Sequence, residues 1–211
     1  MDLISRLETL DKNITFAINA LHSPCSDAVM VFFSKKLVWI PFYLAIAAFL
    51  IWRLGWKKGL ILIAAALCTF GCIDFLTNVI KHAACRIRPL HDPDMVRLGI
   101  HVLESGGGYS FPSAHAANAF GLATCTLTGL SYIKNRKGKI TEYLRKRYQD
   151  VRNYSIGYGV VLFFWAFMVA ISRIFVAKHF FGDVLIGMLF GIAVGLLFGL
   201  MFRLISTRIS N

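Results

Sequence analysis

Residues 182–203 read GDVLIGMLFGIAVGLLFGLMFR, an apolar run with an acid near one end and an arginine at the other. At 1.5 Å per residue a helix of this length reaches about 33 Å, enough to cross the ~30 Å hydrocarbon layer of a bilayer. Gly187, Gly191, Gly195 and Gly199 recur in it every four residues. That spacing lines them along one helix face, where missing side chains let a neighbouring backbone approach closely. Packing inside a helical bundle is the expected use of this face, ahead of a seam between copies.

Four further stretches have the same character: 37–53, 59–80, 114–133 and 154–175. The chain has 211 residues, 57% of them hydrophobic, and a mean hydropathy of +0.63, too apolar for an ordinary soluble domain. The expected fold class is all-α: a polytopic transmembrane helical bundle of about five to six spans, forming one membrane-embedded domain over 1–211. Residues 37–211 are its core and 1–36 an amphipathic N-terminal segment. The first 13 residues hold Asp2, Arg6, Glu8, Asp11 and Lys12 with no apolar core, so no cleavable signal peptide is expected. Leu3, Leu7, Leu10, Ile14 and Ile18 follow helical spacing. Ser23-Pro24 interrupts that pattern, and Ser26 or Asp27 can cap a second short helix through Phe33. An interfacial helical hairpin fits best; a sixth, irregular span is the alternative.

The formal net charge of +12 is unevenly distributed. Lys134, Arg136, Lys137, Lys139, Arg145, Lys146, Arg147 and Arg152 crowd a predicted loop between two spans, where basic excess marks the cytoplasmic side. No aromatic interleaving or nucleic-acid module accompanies them, so the expected partner is the phospholipid bilayer and no nucleic acid. With that loop inside, alternation puts 82–113 and 176–181 outside, while Arg53, Lys57, Lys58, Arg203 and Arg208 fall inside. The hairpin reading leaves Lys35 and Lys36 outside, against the basic-residue rule. Cys68, Cys72 and Cys125 sit in predicted spans, where cysteine behaves as a small apolar residue. Nothing completes a zinc site around Cys68-x3-Cys72. Cys25 and Cys85 can bond only if the fold brings them together.

Three fragments carry ionisable groups beside the ends of these apolar runs: Lys81-x6-Arg88-Pro89, Pro112-Ser113-Ala114-His115, and Ser172-Arg173-x5-His179-x3-Asp183. Charges so placed are functional candidates. Lys81, Arg88 and Arg173 suit a phosphate dianion, and arginine can grip its oxygens with two parallel hydrogen bonds. Arg86 reads as a headgroup or loop contact. Ser113 can cap the helix that follows, whose free N–H groups face an incoming anion. His115 at the same mouth can give a proton to a leaving alkoxide and later take one from water. His179 and Asp183, four residues apart, share a face. A carboxylate accepting one imidazole N–H leaves the other nitrogen free to attack phosphorus. His22, His82, His91 and His101 read as interfacial hydrogen-bonders, Gly106-Gly107-Gly108 as a flexible turn, and the charges of 90–111 as solvated loop residues that shape headgroup choice.

In order and spacing, the region from Lys81 to Asp183 resembles the type 2 phosphatidic acid phosphatase family, whose superfamily includes vanadium haloperoxidases and bacterial acid phosphatases. The resemblance implies phosphate binding by Lys81, Arg88, Arg173, Ser113 and the adjoining backbone at Ala114. It implies His115 as acid and base, His179 as nucleophile and Asp183 as its partner, with no cofactor and no metal. One departure stands out: Ala114 occupies a position where glycine is commonest. The implied activity is hydrolysis of a lipid phosphate through a phosphohistidine, at the outer face of a bacterial inner membrane. A lipid phosphotransferase, a vanadate-binding haloperoxidase and a non-enzymatic anion-binding or transport bundle are the alternatives. Undecaprenyl diphosphate, lipid A phosphates, phosphatidylglycerol phosphate and phosphatidic acid are candidate substrates, the first two ahead; oligomeric state is left open.

Overall fold

The computed structural model describes residues 2–131 and 142–209. Its elements are α1 (Leu3–Asn19), α2 (Pro24–Ser34), α3 (Ile40–Leu54) after a 3-10 turn at Lys36–Trp39, α4 (Trp56–Ala84), α5 (Pro93–Arg97), α6 (Ala114–Leu130), α7 (Glu142–Phe175) and α8 (Phe181–Ser206). The described residues contain no strand, so the all-α membrane bundle is observed. Four helical stretches are long and apolar enough to cross a bilayer, and they contain α3, α4, the Tyr154–Phe175 part of α7, and α8. Four of the five predicted spans are matched in order, α4 extending most, where 59–80 becomes a 29-residue helix; the expected span 114–133 is instead the 17-residue α6, too short to be counted with them. The basic segment differs from its expectation as a loop: α7 already begins at Glu142, so Arg145, Lys146, Arg147 and Arg152 are helical. Lys134, Arg136, Lys137 and Lys139 lie outside the described residues.

Helix α6 is the axis of the bundle. Twelve of its 17 residues are buried, and at about 25 Å it needs lipid contact least. The glycine ladder of α8 lies against it. A Cβ at Gly187, Gly191, Gly195 or Gly199 would fall 2.1–2.9 Å from carbonyl oxygens of Ser113, Ala117, Gly121 and Cys125, or closer still to Thr128 Cβ at 2.7 Å in the last case. The ladder therefore serves packing within the bundle. Trp165 of α7 closes the other side, edge-on to Trp39 and Tyr43 and tilted against Phe42. Large side chains such as Leu67, Phe75 and Phe164 stay exposed, as lipid-facing positions must.

The N-terminal segment forms two helices joined at residues 20–23, and neither α1 nor α2 meets the length and hydropathy of a span. Ser23, rather than Ser26 or Asp27, is the N-cap of α2, with Pro24 in the first turn and Ser26 reciprocating in a capping box. Leu3, Leu7 and Leu10 point away from the protein. The opposite face of α1 caps α8: Thr15 Oγ1 accepts from Phe181 N–H at 2.9 Å and Asp11 Oδ1 from Gly182 N–H at 2.7 Å. These are N–H groups that a helix start cannot pair internally.

Candidate active site

Four helix ends meet at one end of the bundle: the C-termini of α4 and α7 and the N-termini of α6 and α8. Helix α4 stops when Cys85 turns left-handed (φ 47°) and its N–H caps Lys81 O at 3.0 Å. The extended chain behind it is pinned by Ser110, whose N–H donates to Arg86 O at 2.8 Å and whose hydroxyl donates to Ile87 O at 3.0 Å. Arg88 is held by Nε donating to Gly108 O at 3.2 Å. Ser113, fully buried, caps α6 and donates its own N–H to Asp183 O at 3.0 Å. That bond joins the second fragment to the third. Ala114 is the first residue of α6, partly exposed at the same mouth.

The charges confirm the convergence. Those acting on Lys81 come from Arg88, Arg173, Asp183 and Lys36; those acting on His115 come from Arg173, Lys36, His179 and Lys81. All eight residues singled out in the sequence thus gather at one end. Arg173, 5% exposed, donates from Nη1 to the Ser34 hydroxyl and lies 3.8 Å from Glu104. Its Nε is buried with no hydrogen-bond partner among the described residues. His179 sits in the 176–180 turn, its backbone N–H donating to Arg173 O at 3.1 Å. Burial above all, then Arg173 and Lys81, pulls its pKa down to about 4 against the attraction of Asp183, so the ring is neutral at neutral pH.

The His179–Asp183 pair differs from its expected geometry. Nδ1 to Oδ2 is 3.7 Å, beyond a hydrogen bond. The carboxylate is taken up elsewhere: Oδ1 accepts from Arg86 Nη1 at 2.6 Å and Oδ2 from Phe180 N–H at 2.9 Å. Asp183 lies beside the imidazole and is itself clamped. Arg86 is therefore no loop contact. It bridges Asp183 and Asp11 (Nη2 to Oδ2, 2.6 Å) with its guanidinium 4.1 Å from the centre of the Phe180 ring. Its sequence signal was the spacing Arg86-x-Arg88-Pro89, and the partner in α1 had none. Lys36 was also missed. Its charge reaches Lys81 and His115.

The 90–111 segment is more built than solvated loop residues suggest. Asp92 is buried and caps α5, accepting from Asp94 and Met95 N–H groups. It also lies 3.1 Å from Lys12 Nζ. Lys12 is raised in pKa: burial opposes this, but the hydrogen bonds and charges of Asp94 and Asp92 outweigh it. Lys178 Nζ donates to Ser105 O, and a Cβ at Gly106, whose φ is 149°, would fall 2.5 Å from that ammonium. The glycine run is a cradle for Lys178 and Arg88. Cys25 and Cys85 are both free thiols.

Fixed cations, a buried neutral histidine and a second histidine at a helix mouth, all within a membrane bundle, define a membrane-embedded phosphatase. The chain belongs to the PAP2 superfamily, whose family profile matches residues 58–207. Its curated relatives include the lipid A 4'-phosphatase of Bacteroides thetaiotaomicron, 28% identical over 90% of this chain and 75% of that one. The lipid A 4'-phosphatase of Porphyromonas gingivalis is 25% identical over 86% of this chain and 68% of that one. Among solved structures, a transmembrane PAP2 type phosphatidylglycerolphosphate phosphatase from Bacillus subtilis superposes with a TM-score of 0.64, at 21% identity, covering 98% of this chain and 89% of that one. Aquifex aeolicus LpxE gives 0.57 at 22% identity, covering 88% and 92%. These two likenesses carry the fold. The protein is thus a membrane lipid phosphatase of the bacterial type.

Proposed function

We propose that this single-domain protein removes a phosphate from lipid A through a phosphohistidine intermediate, at the outer face of the bacterial inner membrane. The observation that carries the reading is the Ser113–Asp183 backbone bond, with His115 lying in the combined field of Arg173, His179 and Lys81. It makes one site of three fragments far apart in the chain.

Lys81, Arg88 and Arg173 hold the phosphate dianion, Arg173 Nε supplying a buried donor, with Ser113 and the N–H groups at Ala114 on the remaining side. His179 Nε2 attacks phosphorus. The bond from phosphorus to the sugar oxygen breaks, and that oxygen takes a proton from His115. Asp183 stabilises the positive phosphoimidazole, held in place by Arg86. Water, giving its proton to His115, then attacks phosphorus; the P–N bond breaks and inorganic phosphate leaves. Neither histidine step draws on a metal. Lipid A is favoured over the other phospholipids because both curated relatives carry that activity, and because Lys36 adds positive charge at the rim. The outward orientation rests on Arg53 and Arg203. They lie at the far end, Arg53 over the Tyr154 ring at 3.7 Å and Arg203 Nε donating to Thr128 O at 2.7 Å.

The test is phosphate release by purified protein in detergent with excess EDTA. The panel comprises lipid A, undecaprenyl diphosphate, phosphatidylglycerol phosphate and phosphatidic acid, each run against His179→Ala. Release of inorganic phosphate from the 4' position of lipid A, absent in the variant, is expected. Strict Mg²⁺ dependence would overturn the mechanism; a newly phosphorylated lipid would reassign the reaction to transfer, and preference for another lipid would overturn the substrate.

A further inference from the structure

We infer that His22, Asp27 and His101 form a binding site for a divalent transition metal of the zinc type, separate from the phosphate cradle. One ligand atom from each lies within 4.8 Å of the other two. His101 Nε2 is 3.2 Å from Asp27 Oδ2, close to the ~3.3 Å edge that two ligands about 2.0–2.2 Å from a tetrahedral zinc would share. The His22 and His101 rings stack at 4.0 Å with 11° between planes; an imidazole binds along its in-plane lone pair, so taking up an ion requires the exposed His22 ring to turn out of the stack. Imidazole nitrogens and a carboxylate oxygen are the donor types that zinc takes. The second oxygen, Asp27 Oδ1, is buried and has no hydrogen-bond partner among the described residues.

Local structure prepares this arrangement. His22 immediately precedes the Ser23 cap of α2 and Asp27 is the fourth residue of that helix, the N′ and N4 positions that lie side by side at a helix start. His101 is fixed through its backbone. Its N–H donates to Asn19 Oδ1 at 2.8 Å, and its carbonyl accepts from Asn19 Nδ2 at 2.8 Å. Asn19 Nδ2 also donates to Phe175 O at 2.9 Å, anchoring the site to the end of α7. Two nitrogens and a carboxylate leave room for water, and imidazole with carboxylate suits zinc, cobalt or nickel. Such an ion ties the α1–α2 corner to the segment three residues before Glu104, which faces Arg173, and four before Ser105, which holds Lys178. The ion is a strap on the loop beside the cradle; it is not a participant in hydrolysis.

The test uses full-length protein without a polyhistidine tag, stripped with chelator and titrated with Co²⁺ and Zn²⁺. Stoichiometry is followed by elemental analysis and by cobalt visible absorption. One ion per chain is expected. His22→Ala and His101→Ala should each weaken binding by at least the ~10–100-fold that loss of a supporting partner costs. His82→Ala, whose ring lies against Tyr109, should bind as wild type. His22 is exposed, so its variant tests the site even where His101→Ala fails to fold. No bound ion, or binding equal in His22→Ala and wild type, overturns the proposal. Retained phosphatase activity in the stripped protein does not bear on it, which separates this outcome from the hydrolytic reading.

Discussion

Replacing Gly191 by alanine asks whether the α6–α8 seam sets the geometry of the site. A Cβ there falls 2.1 Å from Ala117 O, 2.8 Å from Ala117 C and 2.9 Å from Ala117 Cα. All are helix backbone, so no rotamer change relieves the clash. Contacts under 3.0 Å are essentially never tolerated, and escaping this one parts the helices by about 1 Å, an overpacking that costs about 1–3 kcal/mol. The displacement acts close to the 3.0 Å Ser113–Asp183 bond, and misplacing reacting groups by ~1 Å can cost about 10²-fold in rate. Expected results are a lower thermal midpoint in detergent and kcat reduced about a hundredfold. Gly71→Ala, with nothing within 4 Å, is the control, and its helix should gain up to about 1 kcal/mol. If Gly191→Ala melts and turns over like Gly71→Ala, the seam does not determine the site.

His179→Ala, His115→Ala and Arg173→Ala should each abolish measurable turnover while the bundle still forms, as judged by helical circular dichroism and monodisperse elution. Arg86→Met strands two carboxylates, one of them fully buried; a loss of about 3–5 kcal/mol in stability is expected, with Arg86→Lys rescuing only part because an ammonium lacks the two-sided fork. In kcat/KM against pH the nucleophile should stay active well below the ordinary histidine range, its limb lying near pH 4. The same depressed value means stability is intact above pH 6.5 and falls between 6.5 and about 4, as the unfolded chain alone takes up the proton; a melting midpoint flat over that window would count against it. Ala114→Gly should cost under about 1 kcal/mol and leave turnover within a few-fold, checked by initial rates.

Most of the spans and the candidate site residues were legible because hydropathy and fixed short spacings are local properties. Lys81 and Arg88, or His179 and Asp183, announce themselves within a few residues. The glycine ladder announced a close neighbour without naming α6. Arg86 was misread because a guanidinium beside a motif looks the same whether it meets a headgroup or a buried acid, and Asp11 lies 75 residues away. The N-terminal helix was read correctly as amphipathic, yet its polar face caps α8, a use no periodicity distinguishes from facing water.

The amino-acid order alone determined a membrane bundle, because burial in lipid and helical spacing are decided residue by residue, and it set the expectations for sidedness and for the side chains proposed to hold phosphate. Tertiary structure decided how Asp183 is divided between Arg86, Phe180 and His179, that the charge of Lys36 reaches Lys81 and His115, and that His22, Asp27 and His101 meet. Each of these depends on groups from separate helices arriving at the same point, and a hydrogen bond has no length until both partners have been placed.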